Sequence, residues 1–599
     1  MGGQPTHVCN RPRSSFRMLS FVVFDAEGVD ARHFPPRHAY LIGPEETPVQ
    51  GEIALRIGVV DAAKAVHTTV GLAVQMLVGK GGPEGSLGLL TVQTCLLPDH
   101  IQPYLLTIEL ARRQIMFVLN KMEDWGLFDL PPDHPLITHF DSARDAFTQS
   151  LIAQRSNDPA VTSTAGGQPT GRGGFSAKAD ALAEHALAVG IAAGEQLTLL
   201  NAERQFRLRT TGKGYKDALS HLGRLTPETP SGGAPVTVPG VGHCVLSELP
   251  QLGCAVNPNT FTEVQQRAVM ATCDYITLPM RWIDLEPSEG KYNFTTTDRW
   301  IEWAIRTAKL PVVGGPLLDF RPQSSPDFLF IWENDYETLR DLVYEHVTAV
   351  VTRYRRTISR WTVASGLHVN MNFKISFDQI VDLTKMCIQL VRKLHPAAKV
   401  QLEVAQPWGE YHAMNRRSIP PHVYAEAIVQ TGAANPASQI DALCVRCQMG
   451  HAEPGLATRD LMSLSAMLDR YAALEKPIVV SALGCPSAPI TPKPFRTRSG
   501  AEAGDPYEPG YWRENWSENQ QAAWLLAAGA IIASKPYIHS MCWQDLSDPT
   551  NPALAPEMPS GGLLTASGQP KAALNKFALL RKAIKEQRWP LASQLPAGQ

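Results

Sequence analysis

No apolar run in this chain is long enough to cross a bilayer, which sets membrane-spanning functions aside first. The longest, Ala522–Ala533 (AAWLLAAGAIIA), falls well short of the roughly 20 residues a spanning helix needs and reads as a buried helix. Net charge is almost absent too: Lys+Arg 55 against Asp+Glu 57 leaves -2. Neither nucleic acid nor a membrane surface is therefore an expected partner, since no global basic field is available to attract one. The cysteines are scattered without a dense framework, which suits a reducing compartment. The C-x-x-C at Cys444–Cys447 lies inside an apolar strand-like run with no second pair, which argues against a zinc or redox centre. His368 and His451 lack metal-ligand spacing and no HExxH motif is present, so no metal and no cofactor are expected. At the amino end the apolar stretch Leu19–Phe24 stops at Asp25, too short for a secretory signal. The expected location is cytoplasmic, with leaderless export and a start at Met18 rather than Met1 both left open.

What is present is ordinary globular composition, 44% hydrophobic and 19% charged, in a chain with roughly three to five domains' worth of material. Two Pro/Gly/Ser/Thr-rich stretches read as linkers. The expected division is a disordered extension at 1–17, a β-sandwich-like domain at 18–155 and a linker at 156–174. A helical segment at 175–225, a linker at 226–240, a barrel at 241–588 and a tail at 589–599 follow. The first domain rests on short β-like runs, SFVVFD, HAYLIG, GEIALRIGVV, TVGLAVQMLVG, SLGLLTVQTCLL and YLLTIELA, with a hairpin expected around Gly79–Ser86. A continuous helical pattern runs from Ala177 to about Arg209.

After Gly240 strands and amphipathic helices alternate. Strand-like runs fall at Leu252–Val256, Tyr275–Met280, Leu310–Leu318, Arg360–Ser365, Val400–Ala405, Ala442–Gln448, Ile478–Leu483 and Ile538–Trp543. Capping boxes are expected at Thr260/Glu263, Ser376/Gln379 and Ser517/Gln520. The fold class is α/β: buried strands each followed by a helix describe a (β/α)8 TIM barrel, preceded by the mostly-β region and the helical segment. A doubly wound sheet would carry an early glycine fingerprint, and none is present.

Within the barrel, Thr277–Phe294 (TLPMRWIDLEPSEGKYNF) resembles glycoside hydrolase family 10, the endo-1,4-β-xylanases. It matches at Met280, Trp282, Glu286, Pro287, Gly290 and Phe294, with Arg281 in place of the family's lysine. Gly253–Val256, Val351–Ser365, Leu394–Glu403, Trp543 and Gly562–Leu574 extend the resemblance over roughly Pro250–Ile584. It implies a retaining glycosidase, which needs two carboxyl groups roughly 5 Å apart. By that resemblance the acid/base glutamate falls on Gly366 and the nucleophile on Ala482. The family's sugar-gripping residues fall on Thr277, Leu278, Gly315, Phe320 and Gln448.

The catalytic residues are thus unknown. Glu403, Glu410 and Asp319 are the candidates for a relocated acid or nucleophile, each set against a structural reading: an arginine-paired strand residue for Glu403, with Arg446 as the partner, and a solvated loop carboxylate for Glu410. For ligand binding the candidates are Arg281, Trp282, Trp408, Arg446, Gln448 and Trp543, all expected near the carboxyl-terminal rim. The tryptophans offer flat faces for sugar rings, against the alternative that they anchor the core. Three functions stand open: a xylanase-like, carbohydrate-binding barrel without ordinary hydrolysis; an active glycoside hydrolase of β-1,4-linked saccharides with relocated carboxylates; and a structural or interaction protein. The expected partner is an oligosaccharide or polysaccharide, with protein partners unknown.

Overall fold

A computed structural model of the chain describes residues 17–25, 27–31, 39–79, 85–156, 174–211, 236–238, 242–451, 453, 455–491, 508–550 and 558–592. Residues 1–16 of the extension expected at 1–17, and most of both expected linkers, lie outside these residues.

The amino-terminal region opens with strands β1 (Arg17–Val22), β2 (Tyr40–Ile42), β3 (Pro48–Val49), β4 (Gly51–Arg56), β5 (Val59–Lys64), β6 (Gly71–Val78), β7 (Gly88–Gln93) and β8 (Tyr104–Leu105). β4, β5, β1 and β8 form one sheet, and β3, β2, β6 and β7 belong to a second. The strands flanking Gly79–Ser86 pair antiparallel from Val78↔Gly88 to Ala73↔Gln93, as expected of a hairpin. Three helices follow: α1 (Leu106–Asp124), α2 (Pro135–Ser156) and α3 (Ala177–Thr211). The run YLLTIELA, read as a strand, is strand only at Tyr104–Leu105 and then becomes α1. From Ile108 onward the apolar residues Ile108, Ala111, Ile115, Val118 and Met122 recur at helical spacing and are buried. The two sheets therefore share their core with α1 and α3, where Phe21, Leu72, Leu90, Leu110 and Leu187 meet.

Beyond α3, β9 (Val236–Val238), within the stretch read as a linker, pairs with β10 (Gly242–Cys244). The barrel consists of β11 (Gln251–Ala255), β12 (Tyr275–Leu278), β13 (Val312–Gly314) with β14 (Leu318–Asp319), β15 (Arg360–Ser365), β16 (Lys399–Val404), β17 (Ala442–Gln448), β18 (Ile478–Gly484) and β20 (Ile538–Trp543). Neighbours pair in parallel, and the β20–β11 and β13–β15 pairings close the ring, the third position being split into β13 and β14. The sequence placed all of these positions because parallel barrel strands are buried on both faces and read as compact apolar runs. Ser376 caps the helix Phe377–Leu394 with Gln379 completing the box, and Ser517 caps Glu518–Ser534. In the helix after β11 the box is Thr262/Gln265 rather than Thr260/Glu263, because Thr260 Oγ1 instead accepts from the Gln265 side chain. Glu518–Ser534 contains the apolar run Ala522–Ala533 and is buried on nearly every side.

The two regions interlock. Strand β19 (Tyr511–Trp512), from the connection between β18 and β20, joins the second amino-terminal sheet beside β7. Buried Glu195 of α3 accepts from Trp512 Nε1 at 2.7 Å, Arg513 at 3.0 Å and the Leu461 N–H at 3.2 Å. Arg209, near the end of α3, donates to the carbonyls of Ala533, Lys535, Ser247 and Ile538 at 2.6 to 3.0 Å. Trp589, in the segment read as a tail, is buried with its ring 5.7 Å from that of Phe206.

Candidate functional site

The strands of the barrel present alternate residues to its axis, and here those residues are unusually polar. Tyr275 and Thr277, Arg360 and Thr362, Gln401 and Glu403, and Ser540, Cys542 and Gln544 each step by two along a buried strand. Together they line a cavity of about 670 Å³ that opens at the carboxyl-terminal rim, where Asn257, Arg281, Asp284, Asp319, Arg321 and Asp545 stand. That is the end at which ligands of such barrels bind.

Glu403 sits on the wall of this cavity, 4% exposed. Ser365 Oγ, on the neighbouring strand β15, donates to its Oε1 at 2.6 Å, and Arg446 Nη1 of β17 reaches the same oxygen at 3.1 Å. Burial alone pushes this carboxyl up, but the Arg446 guanidinium, the Ser365 hydroxyl and the more distant charge of Arg321 outweigh it and hold Glu403 below the usual glutamate value. Arg446 also donates through Nε to Gln448 Oε1 at 3.0 Å, so Gln448 stands behind the arginine, and its own amide donates to Gln544.

Two further carboxylates of the cavity are arginine-paired. Asp319 accepts from Arg321 through both oxygens at 2.7 to 3.0 Å and from Ser324 Oγ at 2.8 Å. Asp284 accepts from Arg281 Nε at 2.6 Å. Asp545 accepts from the Gln544 side-chain amide at 2.9 Å.

Of the residues singled out from sequence, the cavity gathers Arg281, Asp319, Glu403 and Arg446. Glu410 lies elsewhere and is not a solvated loop carboxylate. It is 2% exposed and accepts from Arg459 at 2.6 Å and from the Gly455 N–H at 2.7 Å, while Arg459 also donates to Tyr40 of the amino-terminal region. The three tryptophans are core residues and none is on the cavity wall. Trp282 donates to Glu286 at 2.7 Å and stacks on His346, Trp543 donates to the Gly561 carbonyl at 2.8 Å, and Trp408 lies under the Arg459 guanidinium, 4.4 Å from its ring centre. Each indole satisfies its burial in packing or in a hydrogen bond directed into the protein.

Ala482 lines the cavity at a bulge in β18, where the pairing with β17 jumps from Val445↔Val480 to Arg446↔Ala482. Gly366 follows β15 with φ +64°, a left-handed conformation. A Cβ built there would meet Ala405 at 3.6 Å and Arg321 at 3.7 Å, so space is available and the backbone conformation is what favours glycine.

Thr277 and Gly315, set by the family resemblance at sugar-gripping positions, do line the cavity, whereas sequence reasoning missed the neutral wall residues Tyr275, Thr362, Gln401, Ser540 and Cys542. Their signal was the every-second polar residue inside otherwise apolar strands. Among the described residues no group of three or more His, Cys, Asp or Glu is placed to hold a metal ion, and no helix is long and apolar enough to cross a membrane.

The sequence model of Glycosyl hydrolase family 10 matches residues 244–376. Xylanase 10B from Thermotoga maritima aligns in structure at 15% identity, over 56% of this chain and 97% of its own, with a TM-score of 0.41. A GH10 structure from Paenibacillus barcinonensis aligns at 17% identity over 58% and 96%, TM-score 0.41. The Thermobacillus composti GH10 xylanase aligns at 18% over 55% and 97%, TM-score 0.39. The resemblance to glycosyl hydrolase family 10 thus holds for residues 244–376, from the end of β10 through the fourth position of the barrel to the N-cap of the helix that follows.

Proposed function

We propose that this chain is a xylanase-like, carbohydrate-binding barrel that does not perform conventional retaining hydrolysis. The observation that carries the reading is the state of the four acids that line the cavity among the described residues: Glu403, Asp319 and Asp284 are each bound to an arginine, and Asp545 accepts from the Gln544 amide. A glycosidase of this kind needs one carboxyl group that keeps its proton near neutral pH, to protonate the leaving oxygen, opposite a second that is ionised. Glu403 is held ionised and so fits the second role but not the first. The positions at which the family resemblance sets the acid/base and the nucleophile carry Gly366 and Ala482, which have no proton to give and no oxygen to attack with.

The carbohydrate part of the reading rests on the family resemblance together with a cavity lined by hydroxyl, amide and paired ionic groups, the mixture that hydrogen-bonds a polyol without demanding a charged one. The test is a binding titration of the full chain with β-1,4-linked xylo-oligosaccharides, run beside a reducing-sugar assay on the same samples. The reading expects heat of binding and a flat sugar signal. Turnover that disappears in Glu403→Gln or Asp319→Asn would replace it with the relocated-carboxylate hydrolase.

A further inference from the structure

The mouth of the cavity is open on one side and filled on the other. Every described rim residue on its wall comes from the connections that follow four consecutive positions of the ring, β20, β11, β12 and the split third position, with Asp545, Asn259, Asp284 and Gln323 among them. Strands β15 to β18 supply wall residues too, but no described residue just beyond their carboxyl ends joins the wall. The first residues past those ends, 366–370, 405–410, 449–450 and 485–486, are buried instead. The amino-terminal region packs on this second side. Arg459, after β17, donates to Tyr40 Oη of β2 at 2.6 Å, and the Thr91 N–H of β7 donates to the Thr458 carbonyl at 2.8 Å. Ala413, after β16, packs against Tyr40, Ile42 and Ala73. The Gln75 amide of β6 donates to the Glu508 carbonyl, in the connection between β18 and β19, at 3.1 Å.

The polar side chains of the two sides differ accordingly. On the packed side they are committed within the protein: His368 Nε2 donates to the Ala405 carbonyl at 2.7 Å, Glu410 accepts from Arg459, and Gln448 lies between Arg446 and Gln544. On the open side Asn257 and Asn259 are exposed and Gln323 is half-buried. The amides of Asn259 and Gln323 make no hydrogen bond among the described residues, and Asn257 uses only its oxygen, accepting from the Asn259 N–H at 2.9 Å. A primary amide offers two donors and an acceptor, which suits the hydroxyls of a sugar. We propose that the amino-terminal region is a fixed cover over the β16–β18 side of the mouth, and that a β-1,4-linked oligosaccharide is bound across the open side, with Asn257, Asn259 and Gln323 hydrogen-bonding its hydroxyls. The inference rests on the carbohydrate-binding reading above. It adds where the ligand lies, which residues select it, and what the amino-terminal region contributes, a wall rather than a second sugar site.

The experiment uses the full chain with xylotriose, free and carrying a photoreactive diazirine at one end or the other. After irradiation, label is expected on peptides from the connections after β20, β11, β12 and β14, and not on residues 405–414, 455–460 or the amino-terminal strands. Asn259→Ala and Gln323→Ala are each expected to weaken xylotriose by about three- to tenfold. Gln406→Ala, on the covered side, is expected to leave affinity unchanged, with the thermal midpoint as the check that each variant folds. Label concentrated on the covered side or on the amino-terminal strands, unchanged affinity in the folded amide variants, or an equal loss in folded Gln406→Ala would overturn the one-sided site and leave carbohydrate binding standing. Binding of none of these probes by the unmodified chain would overturn both.

Discussion

Inside the barrel, Arg446 donates to the Glu403 carboxylate at 3.1 Å, with both side chains at or below 10% exposure. A pair so withdrawn from water is costly to assemble and costlier to break, because removing one member leaves the other buried and uncompensated. Arg446→Met is expected to destabilise the chain by about 3–5 kcal/mol. Glu403→Gln keeps an acceptor for Ser365 and is expected to cost less. Denaturant midpoints of the two variants check the order.

The same pair sets an acid limb of stability. Glu403 is held below its ordinary value, so its contribution is fully present above about pH 4.3 and is lost as the pH falls through its lower value in the folded protein. Glu403→Gln is expected to flatten the loss of thermal midpoint on acidification below that range. A limb of unchanged steepness would show that other carboxylates dominate it.

Asp180 behaves in the opposite sense. It lies in the first turn of α3, accepts from Thr107 Oγ1 at 2.7 Å, and burial raises it to about 6 despite that bond. The folded chain therefore retains this proton where the unfolded chain has released it. Its stabilising contribution is fully present below the unfolded value near pH 3.9 and is lost as pH rises through about 6. Asp180→Asn, which still accepts from Thr107, is expected to gain on the parent chain between those values and to hold a constant advantage, about 2–3 kcal/mol, above them. Thermal midpoints across that range measure it.

The join between the two regions depends on a residue with no side chain. Gly88 has φ +114°, and a Cβ there would lie 2.1 Å from the Tyr511 carbonyl oxygen in β19. Gly88→Ala is expected to expel β19 from the sheet and cost roughly 3 kcal/mol or more, from combined backbone strain and lost pairing. Increased proteolysis or hydrogen exchange around Tyr511–Trp512 would report it.

The barrel was legible because its strands and helices follow local periodicities and caps: the helix Phe377–Leu394 begins at the residue after its expected cap, Ser376. α1 was not, because Leu106, Ile108 and Leu110 alternate with Thr107 and Glu109 at the period of a strand, and the helical stripe emerges only with Ile115, Val118 and Met122. The candidate site was half legible. Glu403 and Arg446 were paired correctly from their places on adjacent strands. Glu410 and Trp408 were not placed, because Arg459 and Tyr40, which hold them away from the cavity, are brought there only by tertiary folding. No local pattern announces that a two-residue strand at Tyr511 will complete a sheet begun at Tyr40.

The most direct measurement is sugar release from β-1,4-xylan by the purified full chain at high protein concentration and long incubation, with Glu403→Gln carried in parallel. The account predicts that both proteins stay at the level of the protein-free blank while the unmodified chain binds xylotriose in the same buffer. Release by the unmodified chain that Glu403→Gln abolishes would contradict it.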